Sequence, residues 1–405
     1  MTEERCDSAS RPHYPRIFLA VDNCFASKRW TDPSEWMRIV RDLGLVYVEA
    51  SADNECDPLY TTPEYLRDWA DAVATSAEEI GVQVVNLYSG HGTYATLGLG
   101  HGDARIRRRM LDDWLKPMLR LACRLGAGVG FFCHAFADSV LQDPDRYREA
   151  EDRLYSDFAE LAGFAAAIGV KAVGVEQMYS PHQIPWTIPG AKRLLREVWR
   201  RSGVPFYVTI DTGHQTGQRR FTRPETQKMR EALERARSGW CAGDIWLGPD
   251  SAYKMLEDAA TRTGVHDDLV LDEMQTEMNR YPHLFASIGD TDPYRWLECL
   301  ACYSPIIHLQ QTSGTSSAHE PFTREYNRTG TIVARSVLEA ICRAYERGPE
   351  EGLPAMCSEV YLTLEIFSRT ADRNREIIGR LKESVEYWRE CIPEDGIAAD
   401  ELVRR

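Results

Sequence analysis

Long apolar runs are missing from these 405 residues: no window approaches the ~18 uninterrupted apolar positions that a membrane-spanning helix requires. The opening MTEERCDSASRPHYPR lacks an apolar signal core, so secretion is not expected and a cytoplasmic location is. Basic charge is in short supply. With 48 Lys and Arg against 62 Asp and Glu the formal net charge is −14, which argues against the broad basic face that nucleic acid needs, though not against a small anion held by a few local groups. Nucleotide-binding punctuation is absent too, since neither GxGxxG nor GxxxxGKT opens a helix-like segment. Cysteine is plentiful at 11 residues, but paired cysteine is not. Cys299 and Cys302 stand on the helix-like text WLECLACY with no second pair to accompany them, so no structural zinc is expected there. An odd number of scattered thiols suits a reducing compartment.

What is present points to a large folded core, with 43% hydrophobic and 27% charged residues. Short apolar runs alternate with amphipathic helical text. Strands are predicted at 16–22, 45–49, 82–87, 128–133, 172–175, 206–210, 305–309 and 360–364. Between them lie helix starts such as Asp32-Pro-Ser-Glu and Thr62-Pro-Glu. The segment 103–125 carries Ile106, Met110, Trp114, Met118, Ala122 and Leu125 at helical spacing, with a bend expected at Pro117. Eight such repeats predict a (β/α)8 TIM barrel over residues 16–390, flanked by an N-terminal extension (1–15) and a C-terminal tail (391–405). The interval 217–304 between the sixth and seventh strands is too long for one crossover. It is expected to be an insertion beside the barrel mouth, a lid or a subunit contact, and a homo-oligomer is compatible with that.

The chemistry is concentrated in VGVEQM, YVTIDTGH, PIIHLQQ and YLTLEIF. Each run delivers Glu176, Asp211, His308 or Glu365 at or near its carboxyl end. In a barrel those ends form the functional rim. Singly, an Asp or Glu there can cap a helix and a His can be a packing residue. Jointly, three carboxylates and an imidazole on neighbouring strands would repel or titrate without a cation. The oxygen-rich set favours manganese, magnesium or cobalt, with zinc as a competitor.

On these residues the chain resembles the xylose-isomerase-like barrels, and within them the sugar and sugar-phosphate isomerases and epimerases of the ketose 3-epimerase type. The resemblance rests on Glu176, on Asp211-Thr-Gly-His214, on His308 and on Glu365. It implies a metal site of Glu176, Asp211, His308 and Glu365, a substrate contact at His214, and Glu176 and Glu365 as the acid–base pair. Two departures bear on the substrate: the small epimerases lack the long insertion, and Leu-Gln-Gln-Thr follows His308 without the Arg often found downstream.

The expected reaction moves a proton at the carbon beside a carbonyl, through a metal-bound enediolate, giving epimerisation or aldose–ketose isomerisation of a small ketose or ketose phosphate. His134 and Tyr88 are further candidates for substrate contact, with Glu49, Asn86 and His91 on the same rim. Gln177 or Gln310 is a candidate to orient the glutamates. The polar run Thr312 to Ser317, the basic pair Lys28-Arg29 and the two Arg after His214 are candidate phosphate contacts, and Phe25, Trp30 and Trp186 a candidate apolar wall. The rival readings are a hydrolase or lyase on the same barrel, of endonuclease-IV or inosose-dehydratase type, and a barrel kept as a binding module.

Overall fold

The computed structural model of the protein describes residues 13–90, 96–133, 135–239, 245–262 and 266–405. Among these, eight parallel strands close into a barrel: β1 (Arg16–Asp22), β2 (Tyr47–Ser51), β3 (Gln83–Ser89), β4 (Gly128–Phe131), β5 (Val173–Glu176), β6 (Tyr207–Asp211), β7 (Ile306–Leu309) and β8 (Glu359–Leu364). They pair in chain order, and β1 closes the ring by pairing both β8 and β2. Parallel strands buried on both faces explain the continuous apolar runs.

Alternation within each strand divides two kinds of burial. Ile17, Leu19 and Val21 face the helical shell, as do Val360, Leu362 and Leu364. Phe18, Tyr47, Val85, Ile306 and Tyr361 meet inside the barrel as a separate apolar plug. Continuing inward along the same strands are Asp22, Glu49, His308 and Glu365. Between β2 and β3 the register shifts, so that Val48 pairs Val84 but Glu49 pairs Asn86. This bulge lets Val85 join the plug while Asn86 stands beside Glu49.

The helices begin and end where local chemistry provides for their unpaired backbone groups. Asp32 forms a capping box with Glu35 ahead of helix Pro33–Asp42. Asp143 accepts from two backbone amides at the start of Pro144–Ile168, and Gly169 ends that helix at φ +79°, where a side chain would be strained. The bend expected at Pro117 takes the form of a wide π turn, Met110–Leu115, just before Lys116–Leu125. The proline has no N–H to continue a regular ladder. The second strand starts two residues later than expected, at Tyr47.

The span between β6 and β7 contains two kinds of structure. Helices Thr226–Arg237, Asp250–Thr261 and Asp267–Asn279 share their own apolar cluster around Met229, Leu233, Leu256, Leu271 and Met274. Helix Pro293–Leu300 instead buries Trp296, Leu297 and Leu300 and packs on Ala334–Glu346 and Ile188–Ser202. It takes the place of the barrel's sixth helix, inside the interval read from sequence as insertion. The final residues also belong to the barrel. A ninth strand, Ile397–Ala398, pairs antiparallel to the start of β1 and packs the C-terminal tail against the barrel.

Candidate functional site

The carboxyl ends of the strands bring four buried groups together. Glu176 closes β5, Asp211 closes β6, His308 lies within β7 and Glu365 directly follows β8. One donor atom from each lies within 4.8 Å of the others. Imidazole Nδ1 of His308 is 2.9 Å from Glu176 Oε1 and 3.4 Å from Glu365 Oε2. The opposite nitrogen, Nε2, lies 3.2 Å from Glu49 Oε2, and Asn86 Nδ2 donates to Glu49 Oε1 at 3.0 Å. A carboxylate behind an imidazole fixes the ring and its tautomer, the arrangement found behind metal-ligating histidines.

Each remaining group is held by a specific neighbour. Tyr88 donates a short hydrogen bond to Glu176 Oε2. It reaches from β3 to β5 across β4, because Gly130 presents no side chain between them; a Cβ there would lie 3.2 Å from the Tyr88 ring. Gln310 Nε2 donates to both oxygens of Asp211 at 2.8 Å, and the Gly213 amide donates to Oδ1 at 2.6 Å. Gln310 therefore orients the aspartate and not a glutamate. His214 Nδ1 lies 2.7 Å from the Gln177 carbonyl, leaving Nε2 directed toward Asp211 Oδ2 at 3.9 Å.

The electrostatics are those of a crowded acidic pocket. Burial, reinforced by Glu49 and Glu365, raises the Asp22 carboxyl well above its usual range. Burial also raises Glu365, against the pull of His308 and His319. For Asp211 burial is outweighed by His214, His319, His308 and the Gln310 hydrogen bond, which hold it below the usual carboxylate range. His308 is raised despite its burial because Glu365, Glu49 and Glu176 surround it. Buried Glu365 Oε2 has no hydrogen bond, although His308 and His319 lie near it. An excess of buried carboxylates with an uncommitted oxygen suits a divalent cation, and the oxygen-rich donors fit a hard one.

His319 was not singled out from the sequence. It follows the polar loop after β7 with φ +49°, stacks on Phe367 at 4.0 Å, and places Nδ1 3.2 Å from Glu365 Oε2. Burial opposes its charge, yet Glu365, Asp211 and Glu176 lift its pKa to about 9. With Asp211 and His214 it forms a second group of donors within 4.8 Å. No strand alternation marks it; its position at the end of the polar loop after the β7 ligand strand was the available signal.

Other expectations resolve unevenly. A cleft of about 700 Å³ over the site is lined by Tyr88, Glu176, His214, His319 and Glu365, and by Thr315 to Ser317 of the polar loop. His134 and His91 lie outside the described residues. Arg29 donates to the carbonyls of Arg369 and Asp372, both at 2.8 Å, and so ties down the loop after β8. Phe25 is core and Trp186 packs on Phe221; the apolar sides of the cleft are Phe132, Met178, Phe221 and Phe367.

Comparison with known proteins agrees with this fold. Residues 37–237 match the family model described as xylose isomerase-like TIM barrel. The chain is 25% identical over 313 residues to D-erythrulose 1-phosphate 3-epimerase of Brucella abortus (strain 2308), covering 77% of this chain and 76% of that protein. Among solved structures, a protein provisionally designated a xylose isomerase from Rhodospirillum rubrum superposes with a TM-score of 0.66 at 18% identity, covering 92% of this chain and 99% of that one. An L-ribulose 3-epimerase superposes with a TM-score of 0.52 at 14% identity, covering 96% of each chain.

Proposed function

We propose that the protein, whose residues 37–237 match the xylose isomerase-like TIM barrel family model, is a divalent-metal-dependent epimerase or isomerase of a small ketose or ketose monophosphate. The observation that carries this reading is the convergence of Glu176, Asp211, His308 and Glu365, all buried, within 4.8 Å at the barrel mouth. The curated relative acts on a ketose phosphate, which supports the same substrate class here.

In this reading Glu176, Asp211, His308 and Glu365 hold the cation, and manganese, magnesium or cobalt fits their donors better than zinc. The bound cation supplies the electrophile that stabilises negative charge on the sugar oxygens. Glu176 and Glu365 exchange the proton at the carbon beside the carbonyl. Removal by one and delivery by the other on the opposite face inverts the centre; return at the adjacent carbon gives the isomer. Tyr88, kept protonated by burial and by Glu176, fixes the orientation of that carboxylate. His319 stands against Glu365 as a cationic partner. His214 Nε2 is placed to hydrogen-bond a substrate hydroxyl, and Glu49 keeps the His308 ring in register. The odd number of scattered cysteines in the sequence fits a cytoplasmic location. No helix among the described residues is long and apolar enough to cross a membrane.

Metal analysis of the purified protein, followed by proton–deuterium exchange into ketoses and ketose monophosphates in D₂O, tests the proposal. Metal-dependent exchange at the carbon next to the carbonyl is expected. Water loss or phosphodiester cleavage without exchange would replace the assignment with a lyase or hydrolase.

A further inference from the structure

The cleft is lined by two chemically different sets of groups. One comprises Glu176, Glu365 and their neighbours; the other comprises Arg220 and the loop of Thr315, Ser316, Ser317 and Ala318. We infer that this second set forms a binding subsite for a phosphate monoester, and that the substrate is a short ketose bearing one phosphate. The inference rests on the function proposed above and adds the position of the anion.

Four observations place the subsite. Arg220 lines the cleft and forms no ion pair with any described carboxylate, so its charge is uncommitted. Its neighbour Arg219 is committed differently: Nη1 donates to the Gly314 carbonyl at 2.8 Å and fixes the loop from the β6 side. That approach depends on Gly314, with φ +82° and an added Cβ only 3.1 Å from the same guanidinium. The loop is also braced internally. The Thr312 hydroxyl donates to the Ser316 carbonyl at 2.7 Å and accepts the Gly314 amide at 3.0 Å. Among the described residues, the amides from Thr315 to Ala318 donate to no protein acceptor. Fixed backbone amides and hydroxyls lining one cleft with a free guanidinium are the usual constituents of a phosphate receptor.

The distance from the chemistry suits a short molecule. Ser317 Oγ lies 3.0 Å from Gln310 Nε2, which in turn lies 2.8 Å from the Asp211 carboxylate. The loop thus sits two hydrogen bonds away from the proposed metal ligands. Electrostatics give the direction: a dianion is repelled by the buried carboxylates and attracted to Arg220, so the phosphate points away from the reacting carbons. This also reconciles an acidic chain with an anionic substrate.

Two readouts test the inference. Calorimetry with inorganic phosphate on the full-length protein should show binding that weakens at least tenfold in Arg220→Ala and is partly kept in Arg220→Lys, in line with loss of a charge-assisted contact. Unchanged phosphate affinity in Arg220→Ala would overturn the subsite. The second readout is kcat/KM for deuterium exchange into a ketose and its own monophosphate. The preference for the phosphorylated form should fall at least tenfold in Arg220→Ala, mainly through KM; an unchanged preference would overturn the subsite's role in substrate selection. If no ketose exchanges at all, the epimerase reading fails while phosphate calorimetry still decides the subsite. Arg220 is exposed, so folding of the variants, checked by circular dichroism, should match the parent.

Discussion

The two ends of the barrel interior are built from the same strands and the same alternation, yet they obey opposite rules. At the amino end Phe18 stacks on Tyr361 and both rings meet Tyr47 edge-on, with centroids 4.9–5.5 Å apart. Two or four residues further along, those strands present Asp22, Glu49 and Glu365. The plug gains from burying area, whereas the mouth holds groups that burial penalises. A buried charge cluster that costs stability is retained where a function requires it. Mutations at the two ends should therefore separate activity from stability.

The largest effect is expected from stripping the metal with a chelator, which should abolish exchange and lower the thermal midpoint, with both restored by manganese. The stripped protein should also become less stable as pH rises. Asp22 and Glu365 are raised by burial, so their contribution is present below the ordinary carboxylate pKa and is lost as pH climbs through the raised values. Urea unfolding at about pH 5 and about pH 8 checks the sign, and a pH-independent difference between loaded and stripped protein would contradict it.

Next, Glu365→Gln should cut exchange by about 10³-fold while leaving the unfolding midpoint at or above that of the parent. Undiminished exchange would remove Glu365 from the acid–base pair. Tyr361→Ala should do the reverse, costing about 3 kcal/mol in chemical denaturation with turnover per folded molecule retained. Loss of turnover without loss of stability would break the division between the two ends. The smallest effect is expected at Glu49→Gln, which should weaken manganese affinity by about 10–100-fold in titration, through the His308 ring it orients.

Much of this arrangement was legible because a both-faces-buried strand writes an apolar run and a functional rim ends it with a polar group. That logic located Glu176, Asp211, His308 and Glu365 and the order of the eight strands. It failed where position depends on turns and packing. His319 reaches Glu365 through a loop with a positive φ, which no periodicity encodes. Glu49 stood out as a rim residue, but its place behind His308 depends on a bulge against β3. Helix Pro293–Leu300 reads like its neighbours in the interval, and only packing identifies it as part of the barrel. The residues after 390 are polar enough to pass for a tail, although Ile397 and Ala398 add a strand.

Gly130 has a consequence for how this sequence can change over time. A methyl group at that position would meet both the Tyr88 ring and the Asn86 amide at 3.2 Å, so substitutions at 130, 88 and 86 cannot be accepted independently. Double-mutant cycles among the three should depart from additivity although they sit on two different strands. Relatives that fill position 130 would then be expected to have rebuilt the partner of Glu176, making this one vacant Cβ a marker of which epistatic lineage a homologue follows.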